Sequence, residues 1–252
     1  MTLQYCSDLH LEFPENAAYL KANPLVPIGD ILILAGDVIL FKLIGRQKDF
    51  FDFVSDHFKE TYWIPGNHEY YGSNIIERSG SFEEKIRDNV FLVNNVVKTF
   101  GIHQLVFSTL WSSLSELNSW RVRRGLNDFY QISHDKRLLQ AQDYNNLHEN
   151  CLTFLRGAIG AEANGKKVVV THHVPTFENY PPEYKGDYLS EAFATALDDL
   201  ILDTRPDYWI YGHHHRNIPE FKIGQTQMLT NQLGYVQNKE NLFFDPSKCI
   251  EL

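Results

Sequence analysis

The sequence predicts an α/β domain, on three observations. Short apolar runs bounded by turn residues recur along the chain, longer helix-like stretches alternate with them, and the length of 252 residues suits one domain with a sizeable core. At 43% hydrophobic and 22% charged residues, the composition is that of an ordinary globular protein.

The apolar runs are LQYCS (3–7), ILILAG (31–36), TYWIP (61–65), HQLVFSTLW (103–111), KVVVT (167–171), DYWIYG (207–212) and TQMLTN (226–231). Their length and their β-branched and aromatic content mark buried strands rather than helices. Helical patterns cover 45–60, 136–160 and 189–203. No repeat, low-complexity tract or linker divides the chain, so residues 1–252 read as a single domain. The stretch 112–143 has weak strand signals and an arginine cluster, Arg121, Arg123 and Arg124, and is expected to be an insertion or lid over the scaffold.

A formal net charge of −9 and a pI near 5.6 argue against bulk nucleic-acid or membrane-surface binding. Cys6, Cys151 and Cys249 are far apart and lack CxxC spacing, which suits a reducing compartment rather than a disulfide framework. The N-terminus has no basic region followed by an apolar one, and no run approaches a membrane span. A cytoplasmic location is expected.

Function is carried by the residues at the strand ends. In YWIYGHHHRN (208–217), alternation along an extended chain would point His213 and His215 one way and His214 the other, making a chelating pair. From this segment alone, a metal site and a structural histidine cluster stand level. Four other runs also end in groups able to bind metal: Asp8 and His10, Asp37, Asn67 and His68, and His172 and His173. In α/β sheets, sites form where loops converge at the carboxyl ends of strands. Oxygen and imidazole donors at five such ends, with no cysteine, describe a divalent-cation site rather than packing. There are too many donors for one tetrahedral ion, and the set suits two ions roughly 3.5 to 4 Å apart.

These blocks, DLH at 8–10, GD at 36–37, GNHE at 66–69, THH at 171–173 and GHHH at 212–215, occur in the order of the calcineurin-like metallophosphoesterases, which the chain resembles. The resemblance implies a four-layer αββα sandwich of two mixed β-sheets flanked by helices. It implies that Asp8, His10 and His215 hold a first ion, that Asn67, His172 and His213 hold a second, and that Asp37 bridges both. His172 rather than His173 matches the family's histidine. The implied ions are two divalent metals, Mn or Fe preferred, with Zn, Co or Ni also admitted.

By the same resemblance a metal-bridging hydroxide attacks phosphorus, and His68 protonates the leaving oxygen or stabilises the transition state. Two divalent cations, two carboxylates and a hydroxide leave a net charge of about +1, suited to an anionic ester in an acidic protein. Glu69 is expected to be structural. The aspartate that pairs with this histidine in some relatives is missing, since GDVILF offers Val38, Ile39 and Leu40. GDVILFK and Tyr70 also depart from the protein-phosphatase pattern.

The expected substrate is therefore a small phosphodiester or nucleotide. Nucleotide phosphomonoester or pyrophosphate hydrolysis is the alternative, and a non-catalytic protein-binding scaffold of the same fold is the third reading. Tyr70, Tyr71, Trp111, Tyr130, Tyr180 and Tyr184 could stack a base or pack the insertion on the core, and the three arginines could clamp a distal phosphate or be solvated. Oligomeric state is not legible.

Overall fold

The computed structural model describes residues 1–252. Strands β1 (Thr2–Cys6), β2 (Ile31–Leu34), β3 (Glu60–Trp63), β4 (Phe82–Arg87) and β5 (Val90–Asn94) form the first sheet with the last strand of the chain, β14 (Cys249–Glu251). Their order is β14–β1–β2–β3–β5–β4. The second sheet contains β6 (Val96–Phe100), β7 (His103–Ser108), β10 (Lys167–Thr171), β11 (Tyr208–Ile210), β12 (Phe221–Ile223) and β13 (Thr226–Leu229), in the order β12–β13–β11–β10–β7–β6. A small hairpin, β8 (Ser133–His134) and β9 (Arg137–Leu138), stands apart from both. In each sheet the four inner strands are parallel and the two edge strands antiparallel.

The inner strands are mostly apolar because both of their faces are covered. ILIL in β2 and KVVVT in β10 are buried at every position. The two-residue period of a strand then sorts the side chains into layers. Ile31, Ile33, Leu105, Phe107, Val168 and Val170 fill the space between the sheets. Leu32 and Leu34 face outward to a core shared with Phe51 and Val54 of the helix Lys48–His57. Val106 and Val169 face the opposite way, to Leu152, Leu155 and Ile159 of the helix Ala141–Gly160. The result is two mixed sheets face to face with helices outside, the architecture the resemblance implies.

All seven apolar runs contain a strand, and the first two helical patterns contain the helices Lys48–His57 and Ala141–Gly160. The third pattern does not form one helix. It breaks into Ser190–Phe193 and Asp198–Thr204, because the chain between them bonds to the loop after β10: Val174 N–H donates to Phe193 O at 3.0 Å, and Thr195 N–H to Val174 O at 3.0 Å. Edge strands escape the sequence reading, and so does one inner strand, β5, although VFLVN is apolar and largely buried. FEEKIR in β4 alternates half-buried and exposed positions and carries charges, the usual dress of an edge. The helix Pro14–Ala22 buries only Asn16 and Leu20, so it shows no apolar stripe.

Within 112–143 lie the helices Ser119–Gly125 and Asp128–Gln131 and the β8–β9 hairpin. Leu114, Val122, Leu126, Phe129, Ile132 and Leu139 of this stretch join the outer core of the first sheet. Gly125, Leu126 and Asn127 reach a cleft that also takes in Asp37, Asn67 and His68.

Candidate metal centre

Because the inner strands of each sheet are parallel, their carboxyl ends open on one edge, and the nominated polar residues come directly after those ends. Asp8 and His10 follow β1, Asp37 follows β2, and Asn67 and His68 follow β3. His172 follows β10, and His213 and His215 follow β11. The loops are stitched together by main-chain bonds. Asp8 N–H donates to Gly36 O, His10 N–H to Asp37 O, and Gly212 N–H to His172 O. The His213 N–H donates to the Asp8 carboxylate at 3.1 Å, tying the second sheet's loop to the first's.

Five of these residues have backbones in the left-handed region: Asp8 at φ 55°, His10 at 47°, Asp37 at 52°, His213 at 78° and His215 at 53°. Each costs about 1 kcal/mol or more relative to ordinary backbone, and such outliers cluster where function constrains the chain. Gly36 shows why the turns are tight. It has φ 92°, and a Cβ there would overlap the His172 ring. A Cβ at Gly66 would overlap the Asp37 carboxylate and lie 2.6 Å from His172 Nε2.

Two sets of donors converge on Asp37, and a third, His10, Glu12 and His68, adjoins them. Asp8, His10, Asp37 and His215 offer one set, Asp37, His172 and His213 the other, with all ligand atoms of each set within 4.8 Å of one another. Asp37 alone belongs to both. Within the first, His10 Nε2 and His215 Nε2 are 2.9 Å apart, and His215 Nε2 is 3.4 Å from Asp8 Oδ1. Within the second, His172 Nε2 is 3.1 Å from His213 Nδ1 and 3.4 Å from Asp37 Oδ2. Two nitrogens each about 2.1 Å from one ion, at a right angle, stand about 3 Å apart, so these separations fit a shared cation.

The other ring nitrogens are held from behind. His10 Nδ1 lies 3.2 Å from Glu12, His172 Nδ1 2.9 Å from Ala35 O, His215 Nδ1 2.8 Å from Glu240 and His213 Nε2 3.3 Å from Ala192 O. A nitrogen that donates its N–H backward leaves the opposite lone pair facing the centre, the arrangement that prepares an imidazole for a metal. Asn67 is prepared in the same way. Its Nδ2 donates to Asp128 Oδ1 at 2.8 Å, while its Oδ1 is buried without a hydrogen-bond partner. A buried amide oxygen left bare is costly unless something not made of protein satisfies it. His173, by contrast, turns its Nε2 to the Tyr144 hydroxyl at 3.1 Å and stands outside both sets.

The charges interlock. Burial alone would lower the His172 pKa, but the Asp37 carboxylate reverses this and raises it to about 9. Burial likewise opposes charge on His215, yet Asp8 and Glu240 raise it to about 10. Their partners move the other way: burial and His173 hold His213 well below its ordinary value, and burial and His68 lower His10. In each pair a carboxylate thus holds a proton on one imidazole while the other is held neutral, and a cation must displace that proton. Groups raised to about 9 and 10 keep that proton through neutral pH, so cation affinity is expected to rise with pH, by on the order of tenfold per unit for each proton displaced. Calorimetric titration of Mn²⁺ between pH 6 and 8, in buffers of different ionisation enthalpy, measures both quantities. A pH-independent Kd without proton release would refute the protons held on His172 and His215.

A cleft of about 370 Å³ opens onto this centre, lined by Asp37, Asn67, His68 and His213–His215 at its floor. Tyr71, Tyr180, Tyr184, Phe193 and Tyr235 supply aromatic walls, and no lysine or arginine lines it. Of the aromatics nominated from sequence, Tyr71, Tyr180 and Tyr184 are at the cleft. Tyr70 and Trp111 are buried in the outer core, and Tyr130 is exposed away from the cleft. None of the three arginines reaches it; Arg121 sits over the Tyr188 ring and Arg124 over Trp120. Glu12, Asp128, Tyr235 and Glu240 were not nominated. Only Glu12 had a local signal, two residues beyond DLH.

A family model described as calcineurin-like phosphoesterase matches residues 1–217, and with the strand-end centre in view that match decides the assignment. The chain belongs to the calcineurin-like phosphoesterase family. Among curated proteins, this phosphoesterase is 29% identical over 278 residues to uncharacterised protein L509 of Acanthamoeba polyphaga mimivirus, covering 99% of this chain and 96% of that one. Among solved structures, it is similar to the phosphopantetheinyl hydrolase of Mycobacterium tuberculosis, with a TM-score of 0.68, 19% identity, and 94% of this chain and 90% of that one covered. At that identity the likeness shows a common fold. No helix of this phosphoesterase is long and apolar enough to cross a membrane.

Proposed function

We propose that the protein is a dinuclear metal-dependent phosphodiesterase acting on a small diester. The single observation that carries this reading is the convergence of two donor sets on one shared carboxylate, Asp37, at the floor of an open cleft. Asp8, His10 and His215 would hold one divalent ion, Asn67, His172 and His213 the other, with Asp37 common to both. The donor set is nitrogen and oxygen only, which suits Mn or Fe and admits Zn, Co or Ni. When bound, the ions supply a nucleophile at neutral pH by acidifying water, and offset charge on the phosphoryl oxygens.

The protein's own groups do the rest. Hydroxide oxygen, left when water has given one proton to solvent, would bond to phosphorus as the ester P–O bond breaks, the electron pair of that bond would pass to the leaving oxygen, and His68 Nε2, on the cleft, would deliver the proton that oxygen needs. Tyr71 stacks on the His68 ring at 4.3 Å, and the Asp37 carboxylate accepts the His68 main-chain N–H at 2.9 Å, so the imidazole is fixed in place.

The lining favours a diester over a monoester or pyrophosphate. A phosphomonoester carries close to two negative charges at neutral pH, and a pyrophosphate still more. With Asp187 and Glu240 in the wall and no Lys or Arg in the lining, the walls add no fixed positive charge for a second anionic group. The free thiols of Cys6, Cys151 and Cys249 support a reducing, cytoplasmic setting.

The test is a panel assayed with Mn²⁺. Hydrolysis of bis(p-nitrophenyl) phosphate is expected to exceed that of p-nitrophenyl phosphate by roughly tenfold or more in kcat/KM. A preference for the monoester would overturn the diester assignment. Inactivity on both, with no metal retained after Mn²⁺ loading, would overturn the enzyme and favour the scaffold.

A further inference from the structure

We infer that Glu12 is the positioning residue that aims His68 at the leaving oxygen, in the place of the aspartate that some relatives carry after their GD block. The inference rests on the phosphoesterase reading. In this chain the positions after Asp37 are Val38, Ile39 and Leu40, with Val38 and Ile39 buried in the outer core, so no carboxylate can come from there. The partner of His68 comes from another strand end. Glu12 Oε1 lies 3.0 Å from His68 Nδ1, across 56 positions of sequence, and 3.2 Å from His10 Nδ1. Its side chain is 7% exposed and meets no lysine or arginine.

That placement has three consequences. The His68 Nδ1–H is committed to Glu12, so Nε2 is the nitrogen left to the cleft, where its neighbour is the Tyr235 hydroxyl at 3.3 Å. The ring cannot turn away, because Tyr71 covers one face and His10 meets it edge-on at 4.5 Å. Glu12 Oε2 is buried without a partner, so the hydrogen bonding of this carboxylate is spent on the two imidazoles alone. One oxygen thus sets both a nominated metal ligand, His10, and the nominated acid, His68. The spacing in DLHLE makes this possible: His10 and Glu12 are two apart, and the left-handed His10 backbone turns the chain between them.

A role in aiming an acid predicts dependence on the leaving group, which a role in folding or metal retention does not. Leaving as p-nitrophenolate needs little protonation, whereas leaving as an alkoxide needs it fully. The experiment compares the Mn²⁺-loaded wild type with Glu12→Gln, which keeps size and removes charge, and Glu12→Asp, which shortens the reach. Substrates are bis(p-nitrophenyl) phosphate and a methyl or ethyl nucleoside phosphodiester, with metal content measured on the same samples. At Mn²⁺ concentrations high enough to offset the weaker hold on His10, the expected result for Glu12→Gln is a fall in kcat of roughly 10- to 100-fold on the alkyl ester and a fall of less than about threefold on the nitrophenyl ester.

His68→Ala is expected to show the same selectivity, and adding Glu12→Gln to it to cost the alkyl ester nothing further. Equal losses on both esters, additive losses in the double variant, or losses that track missing metal would overturn the positioning role while leaving the phosphoesterase standing. A wild-type protein that hydrolyses neither ester would overturn the enzyme, and the role of Glu12 with it.

Discussion

Replacing Asp37 by Asn is expected to lower kcat on a phosphodiester by on the order of 10³-fold and to leave no more than one tightly held ion per chain. The substitution preserves volume and the Oδ1 acceptor of the His68 N–H, so what it removes is charge. That charge is the one feature common to both donor sets, with Oδ2 3.4 Å from His172 Nε2 and 3.8 Å from His10 Nε2. It is also the anion that sustains the His172 proton, and without it the second set loses its only carboxylate. Metal analysis after gel filtration, together with kcat at saturating Mn²⁺, measures both effects. Retention of two ions with activity within about tenfold of wild type would refute the shared-ligand role.

Glu69→Ala is expected to destabilise the fold by about 4 kcal/mol, among the largest effects open to a single substitution here. Glu69 is fully buried and accepts four N–H groups: Asp37 N at 3.0 Å, Val38 N at 2.7 Å, Gly66 N at 2.7 Å and Trp63 Nε1 at 3.0 Å. Burial and the Asp37 charge raise its carboxyl pKa to about 8, against the pull of His172 and of the Val38 and Gly66 N–H groups. A proton on either oxygen would nevertheless find donors on every side and no acceptor, so the four N–H groups favour the anion in this turn. Alanine would leave the four donors unpaired in a cavity. Glutamine would be little better, because its NH₂ would face two of the same N–H groups. Urea unfolding reports the loss as a lower midpoint at unchanged slope. A change below about 1 kcal/mol would show that the loops after β2 and β3 do not depend on this carboxylate.

The sequence was most legible where a residue's environment is set by its own neighbours. An inner strand covered on both faces must be apolar at nearly every position, so ILIL and KVVVT announce themselves. β4, β12 and β14 are short or half-polar edges and announce nothing. The helical pattern at 189–203 misled because a main-chain partner, Val174, offered Phe193 and Thr195 better bonds than helix continuation.

The same division runs through the candidate centre. Asp8, His10, Asp37, Asn67, His172, His213 and His215 each follow a strand end by a few residues, and parallel strands with a common direction carry them to one edge. The nature and the order of those donors are therefore local properties, written in the chain itself. Pairing is not local. Glu12 meets His68 across 56 positions, Asp128 meets Asn67 across 61, and Tyr235 meets His68 across 167. Such contacts depend on how two sheets and the 112–143 stretch settle against one another, and no short window of sequence holds that information. Sequence alone thus determined which donors this protein offers, because a strand and its end are encoded side by side. Only the tertiary structure decided what stands behind each donor, because hydrogen bonds between distant segments exist only once packing has brought those segments together.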